Sequence, residues 1–490
     1  MRGLFVSLGN CSHLSSKLAN GTENLLGSLS GWLLLPEKYS PISPKNFPIN
    51  NGFCIFAKNL SPMSDYKPRI ADALLKRKLA GKGAVLIQGP KWCGKTTTAE
   101  QIAASFIYLD APDQLKEVKI KADINPKELL AGATPRLLDE WQTVPQLWDT
   151  IRYEADHRKG FGHFILTGSS VPLQQENEEI IKHTGTGRFG RLNMRPMSLF
   201  ESGESTGEVS LAQLFDEPSI ILGHSNINLS ELAFLTCRGG WPSAVEMDRE
   251  IALDQAYDYC EAVREKDMSR VDGIKRNPEK VGLLMRSYAR NLATQASLET
   301  IAADMQANEP KKMDTDTVSS YISALTKLFV VEESKAWNPN LRSKTAIRTS
   351  NTRYYTDPSI GTASLSIGPK DLENDLNTFG FFFETLAIRD LRTYADALMG
   401  EVAHYRDADK LECDAVVHLR DGRYGLVEIK LGGDVLIKEG VESLTNLKNK
   451  LDMTKMKKPS FLMVLTGVGS IAYRRQEDGI YVVPIGCLMP

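Results

Sequence analysis

Nine consecutive residues constrain this chain more than any others: Gly89-Pro90-Lys91-Trp92-Cys93-Gly94-Lys95-Thr96-Thr97. Glycine has no Cβ, so at Gly89 and Gly94 the backbone can curl until successive N–H groups point inward. Such a ring of donors cradles phosphate oxygens. Lys95 adds a full positive charge between the outer phosphates, and the Thr96 hydroxyl offers an oxygen to a divalent cation. The flanks agree. AVLIQ (84–88) is an apolar run of strand length, and a helix is read through 99–106, whose positive N-terminal end adds to the cradle. A strand–loop–helix unit of this kind belongs to an α/β chain.

A triphosphate site also needs a group to hold the metal and one to activate water. RLLDEWQ (136–142) supplies both. An apolar strand ending in Asp139 sets a carboxylate at the sheet's carboxyl edge, next to the loop. Asp139 and Thr96 are the expected magnesium ligands, and Glu140 the general base. The buried run FILTGSS (164–170) ends near the outer phosphate, where Thr167 or Ser169 could position the water. The Gly-rich segment Thr184-Gly185-Thr186-Gly187-Arg188, with Arg191 behind it, reads as a flexible loop carrying a cation to a phosphate in its own subunit or a neighbour's; Arg188 is the candidate arginine finger. ATP with Mg2+ is the expected ligand pair.

The chain has 490 residues, 42% hydrophobic and 24% charged, with a formal net charge of -2. At roughly 100–200 residues per domain, about three to four domains are expected. Near-neutral charge excludes a whole-chain clamp on nucleic acid but leaves room for a local basic face. The seven cysteines contain no CxxC pair, which argues against a zinc site or disulfide framework. No apolar stretch approaches the roughly 18–20 residues that cross a bilayer. A cytoplasmic protein with no membrane partner is expected. The first 62 residues, rich in Ser, Asn, Gly and Pro, show no helix or strand period. They read as a poorly ordered extension, and Met63 as the true start.

Helical patterns dominate 210–310. SLETIAADMQ and TDTVSSYISALTKLFVV then have the lengths of a helix-turn-helix, with the stretch Thr315 to Thr317 capping the second helix. That helix offers Ser319, Ser320 and Ser323 but little charge before Lys327, and Arg342, Lys344, Arg348 and Arg353 follow as a wing. The alternative is a winged helix that only packs or docks.

Further on, Asp414 lies in ECDAVVHL, and Glu428 and Lys430 in YGLVEIKL. Thirteen residues separate Asp414 from Glu428, enough for a hairpin. Glu428 and Lys430, two apart on a strand, share one face. Glu384 lies on the preceding helix, in FFFETLAIRDL. The constellation Glu384, Asp414, Glu428 and Lys430 resembles the PD-(D/E)XK nucleases, where the acids hold a divalent ion at the scissile phosphate and the lysine steadies the nucleophile or developing charge. An ordinary solvated ion pair is the competing reading.

Taken together, GPKWCGKTT, RLLDEWQTVPQLWD, GHFILTGSS, GTGRFGRLNMRPMSLFESGES, GGWPSAV and YRDADKLECDAVVHLRDGRYGLVEIKLG resemble a prokaryotic group of AAA-type ATPases with an uncharacterised C-terminal region. The resemblance runs from about Tyr66 to the end. It implies an α/β fold: a P-loop NTPase with a parallel sheet, a helical and winged-helix segment, and a C-terminal restriction-endonuclease-like α/β domain. The expected segments are an extension at 1–62, an AAA-type core at 63–200, a helical region at 201–285, a winged-helix-like segment at 286–365 and a nuclease-like domain at 366–490. Trp92 and Cys93 depart from the smaller or aliphatic residues usual in the loop, and Cys93 is expected to make it thiol-sensitive.

Three functions fit. The first is a Mg-dependent ATPase coupling nucleotide state to a partner or DNA. The second is an ATP-gated DNA nuclease using the C-terminal cluster. The third is a non-catalytic nucleotide-binding switch. The partners expected are ATP, DNA, and a protein partner or a second copy of the chain.

Overall fold

The computed structural model describes residues 66–168, 185–306, 314–338, 350–451, 453–454 and 456–490. The 1–62 extension, Ser169, Ser170, Thr184, Arg342, Lys344 and Arg348 lie outside the described residues. The first sheet holds β1 (Ala84–Gln88), β2 (Ser105–Tyr108), β3 (Arg136–Asp139), β4 (Phe164–Gly168) and β5 (Phe189–Asn193). Their order is β2-β3-β4-β1-β5, and every pair is parallel. Alternate side chains leave on opposite faces. Leu86, Leu138 and Leu166 pack with Leu147, Trp148 and Ile151 of helix Leu147–His157. Val85, Ile87, Leu137 and Ile165 pack with Leu74, Leu75 and Leu79 of helix Ile70–Leu79. Both faces are dry, which is why the strands read as unbroken apolar runs.

Two local expectations shift. The helix after the loop stops at Glu100 rather than running to Phe106. The Ala104 N–H donates to the Pro135 carbonyl at 2.7 Å and draws the chain into β2. The Gly-rich turn keeps its place over 185–188, but Arg191 behind it falls within β5, which pairs along the whole of β1.

From Leu376 the order is helix Leu376–Ala397, three antiparallel strands (Gly400–Arg406, Glu412–Leu419, Tyr424–Lys430), helix Asp434–Lys450, and strand Phe461–Thr466 parallel to the third. Strands Tyr481–Pro484, Ile471–Arg474 and Gly223–His224 extend this to a seven-stranded sheet. Leu426 and Val464 face Leu444 and Leu447 of helix Asp434–Lys450. Val427, Ile429 and Met463 face the other way, into one core that also takes Phe382 and Phe383 of helix Leu376–Ala397 and Leu232, Leu284 and Leu325 from the helical middle of the chain.

Gly223–His224 comes from the 201–285 region that periodicity reads as helical, and so does Val209–Ser210, which pairs with Leu488–Met489. A two-residue strand has no period to detect, so only its pairing reveals it. Between the sheets, helices Pro278–Arg290, Leu298–Gln306 and Thr315–Lys327 precede two antiparallel bridges, Val331 to Tyr355 and Ser334 to Thr352. The cap of helix Thr315–Lys327 is the Asp314 carboxylate, which accepts from the Thr317 N–H at 2.6 Å, and not a threonine hydroxyl.

Candidate functional site

The loop 89–97 leaves β1 at the carboxyl edge of the first sheet. A Cβ on Gly89 would collide with the Met194 carbonyl, and Gly94 sits at φ 95°, so neither position accepts a side chain cheaply. Lys95 begins helix Lys95–Glu100 and is only 6% exposed; its ammonium donates to the carbonyls of Gly89 and Pro90 at 3.0 and 2.7 Å. Arg69 braces the loop from outside, donating to the Cys93 carbonyl at 2.9 Å while its Nε pairs with buried Glu201 at 3.1 Å. Cys93 is fully buried. The expected thiol sensitivity therefore lacks an exposed sulfur.

Asp139 ends β3 and is 7% exposed. The Thr96 hydroxyl donates to its Oδ1 at 2.8 Å, and so does the Thr167 hydroxyl from the adjacent β4. Thr167, expected to position water, is thus spent on orienting Asp139. Among the described residues no donor reaches Asp139 Oδ2. Burial pushes the Asp139 carboxyl above its ordinary range, and the two hydroxyls pull it back. Glu140 turns the chain at φ 52° and accepts from the Gln142 amide. Burial raises its pKa as well, with Lys95 opposing.

A cavity of about 990 Å³ opens over these groups; Lys95, Thr96, Thr97, Asp110, Glu140 and Arg270 are among its lining. A hollow of about 190 Å³ adjoins it, sharing Gly94, Thr97, Pro242 and Ser243 and walled by Tyr66 and Met197. Two loop residues reach the helical region. Lys91 pairs with buried Asp267 at 2.6 Å, in the π-helical turn Val263–Asp267. Trp92, at φ 65° and 46% exposed, meets Tyr259 edge-on, and Tyr259 packs on Trp241.

Arg188 is not brought to this site within the chain. It precedes β5, and its carbonyl accepts from the Ala84 N–H at the start of β1. The loop follows the far end of β1, roughly 13 Å away at 3.3 Å per residue. Its guanidinium is exposed and paired with Asp156 at 2.8 Å. Arg191, also exposed, lies within β5 opposite Leu86. The arginine in the cavity is Arg270, which local sequence did not single out because nothing near it marks a phosphate site.

The C-terminal cluster is assembled differently. Glu412–Leu419 and Tyr424–Lys430 pair so that Ala415 faces Val427, which sets Asp414 opposite Glu428. Asp414 Oδ2 accepts from the Ile429 N–H at 2.7 Å. Lys430 lies between the two acids, 2.6 Å from Glu428 and 3.4 Å from Asp414. Ser443, on helix Asp434–Lys450, donates to the other Glu428 oxygen at 2.9 Å. Glu384 is half-buried on helix Leu376–Ala397 and accepts from the Tyr354 hydroxyl. Burial and then Asp414 push the Glu384 carboxyl well above its ordinary value, and the same causes raise Glu428 to about 8. Burial works against the Lys430 charge, but Asp414 and Glu428 outweigh it and hold its pKa above the usual range. Among the described residues, no three His, Cys, Asp or Glu side chains are grouped to hold a metal ion.

Residues 81–202 match the AAA domain family. They contain the loop and all five strands of the first sheet. This part of the chain is similar to AAA domains and has a parallel α/β sheet with a phosphate-type loop after β1. Residues 229–371 and 379–488 match two families described as domains of unknown function, DUF8612 and DUF4143. No curated protein matches the chain. Three solved structures are similar to parts of it. A Walker-type ATPase of Pyrococcus abyssi is 16% identical over 62% of this chain and 97% of its own, with a TM-score of 0.37. The ORC2 protein of Aeropyrum pernix in its ADP form is 18% identical over 57% and 90%, TM-score 0.29. The Aeropyrum pernix ORC1 protein in complex with DNA is 14% identical over 62% and 95%, TM-score 0.23. No described helix is long and apolar enough to cross a membrane.

Proposed function

We propose that the chain is a Mg-dependent ATPase that couples its nucleotide state to a partner. One observation carries this reading: the Thr96 hydroxyl, in the helix that follows the loop, meets the Asp139 carboxylate at the end of β3 at 2.8 Å, beside the cavity lined by Lys95, Thr96 and Glu140. Residues 89–97 would wrap the phosphates, with Lys95 between the outer two. Magnesium suits Thr96 and Asp139 because it takes few protein ligands and completes its shell with water and phosphate oxygens. The free Asp139 Oδ2 is the oxygen such an ion needs. An ion held by Thr96 and Asp139 would supply Lewis-acid stabilisation of the phosphate charge. Glu140, held by Gln142 with its pKa raised, takes a proton from the attacking water. Arg270 stabilises the outer phosphate in the role expected of Arg188. The adjoining hollow receives the base against Tyr66.

A second reading assigns phosphodiester cleavage to the C-terminal sheet. It is favoured by the helix–three strands–helix–strand order of 376–466, which carries Asp414, Glu428 and Lys430 at one end. The cluster as built is neutralised by Lys430 and lacks a trio of ligands, so no metal step is drawn through it. The winged-helix reading of 286–365 rests on its three-helix run and the two bridges after it.

One experiment separates the readings: ATP binding, ATP hydrolysis and plasmid integrity measured together with magnesium. Lys95→Ala should abolish hydrolysis. Glu140→Gln should keep ATP binding and slow hydrolysis about 10²–10⁴-fold. Asp414→Ala should leave hydrolysis intact and remove cleavage only under the second reading. Binding without hydrolysis in the unaltered chain would favour the non-catalytic switch and sink the ATPase.

A further inference from the structure

The chain is close to neutral overall, so any strongly basic surface must be built locally. Helix Ile70–Leu79 ends in Lys76, Arg77 and Lys78, and Lys82 follows two residues after the helix cap Ala80. Cations at a helix C-terminus have a ready explanation in the helix dipole. Arg420 has none of that kind. It lies in the turn between Glu412–Leu419 and Tyr424–Lys430, more than 330 residues away in sequence, and is exposed.

The fold gathers these cations. Lys78 and Lys82 both lie over Gly190 of β5: a Cβ there would stand 3.6 Å from Lys78 Cβ and 3.4 Å from Lys82 Cγ. The Arg420 turn reaches the same strand, β5, three residues further along it. Gly422 lines one cavity of about 1100 Å³ with Asn193 and Arg195, the end of β5 and just beyond it. Lys78 feels its neighbours. Burial and then Arg420 lower its pKa, Asp396 opposes, and Lys82 and Arg77 lower it further.

Like charges held together cost free energy unless something anionic meets them. Among the described residues no carboxylate comes within 4 Å of the charged groups of Arg77, Lys78 or Arg420. Asp396, the acid that opposes the effect on Lys78, is engaged by Arg195 at 2.7 Å. Lys82 donates only to the Gly187 carbonyl, at 3.1 Å. The cavity beside the turn is of mixed charge, with Glu332, Glu333, Asp396 and Glu401 among Arg195, Lys335, Arg392 and Lys457, so the basic surface is confined to the four cations themselves. The helix expected to read nucleic acid is the poorer candidate. Helix Thr315–Lys327 starts with Asp314 and Asp316, and its Ser320 and Tyr321 are engaged by Arg276 within the fold.

We propose that Arg77, Lys78, Lys82 and Arg420 form a docking surface for the sugar–phosphate backbone of duplex nucleic acid. Four cations from two separate parts of the chain suit a line of evenly spaced phosphates better than a single small anion. Asp414 lies on the strand leading to Arg420, roughly 20 Å away at 3.3 Å per residue, within the span of a short duplex on this surface. The proposal names a partner for the ATPase reading and deepens it, but docking itself needs no nucleotide.

The test is fluorescence anisotropy of the full chain with a labelled 30-base-pair DNA duplex, and an RNA duplex of the same sequence, from 50 to 200 mM salt. ATP hydrolysis is measured separately on the same samples. The neutralised variant Arg77→Gln/Lys78→Gln/Arg420→Gln should bind at least about tenfold more weakly, and its log–log salt slope should shrink by about 3. Its melting temperature and basal ATP hydrolysis should not change. Arg77→Lys/Arg420→Lys should bind like the unaltered chain. The ratio between DNA and RNA assigns the duplex. Three results overturn the proposal: no binding of either duplex at 50 mM salt, an unchanged slope in the neutralised variant, or tighter binding to phosphatidylserine vesicles than to both duplexes. Duplex binding lost while hydrolysis persists would leave the ATPase reading standing, and the reverse would leave the docking surface.

Discussion

The phosphate loop and the distal acid–lysine cluster both bury carboxylates, but they hold them by opposite means. At the loop, Asp139 and Glu140 are oriented by neutral donors: the hydroxyls of Thr96 and Thr167 and the amide of Gln142. A neutral donor fixes a carboxylate without cancelling its charge, so the oxygen left over can still meet a cation. At the distal cluster, Lys430 stands 2.6 Å from Glu428 and reaches Asp414 as well. An ammonium cancels what it orients. The first arrangement adjoins a large cavity and leaves its carboxylates without an ion-pair partner among the described residues; the second carries its own cation. Two groups of acids with similar burial thus have different chemical prospects, decided by what donates to them.

The comparison can be broken most severely at Asp139. Asp139→Asn keeps the hydroxyl bonds but removes the charge, and magnesium-dependent ATP hydrolysis should fall about 10²-fold or more in steady-state kinetics. An unchanged rate would mean that Asp139 meets no cation. At the distal cluster the expected effect is on stability. Lys430→Met strands Glu428, which is 3% exposed, and should cost about 2–4 kcal/mol in urea unfolding at pH 9. The cost should shrink at pH 6, where Glu428 can take up a proton instead.

A subtler test uses pH alone. Burial and Asp414 raise Glu428 from an ordinary 4.5 to about 8, so the folded chain keeps a proton that the unfolded chain releases. The stability from this group is full below about 4.5 and is lost as pH rises through about 8. Melting temperature in the unaltered chain should decline over that window, and Glu428→Gln should flatten the decline. The smallest effect is expected at Lys91→Ala. Its pair with Asp267 is more than a third exposed on the lysine side, so the loss should be about 0.5–1 kcal/mol by thermal unfolding.

Much of the loop site was legible because its pieces are short and contiguous. Gly89, Gly94, Lys95 and Thr96 act within one turn of chain, and an apolar strand that ends in Asp139 must deliver that residue to the carboxyl edge of a parallel sheet. The hairpin that sets Asp414 opposite Glu428 was legible for the same reason: period two and a short connection leave few alternatives. What was not legible at the site involves distance along the chain. Arg188 sits close to glycines, as a finger might, but the pairing of Phe189–Asn193 with Ala84–Gln88 sets it at the far end of β1 from the loop of its own chain. Arg270 has no local mark, yet it lines the cavity.

The residue order by itself determined the chemistry that needs only neighbours: a phosphate-cradling curl, a carboxylate at a strand end, a Glu-x-Lys strand face. Tertiary packing decided which donors meet each carboxylate and which cations stand together. It turned Thr167 toward Asp139, set Lys430 between two acids, and gathered Arg77, Lys78 and Arg420. The physical reason is that backbone geometry repeats over a few residues, whereas electrostatic partnership depends on separation in space, which the sequence records only after the sheets have closed.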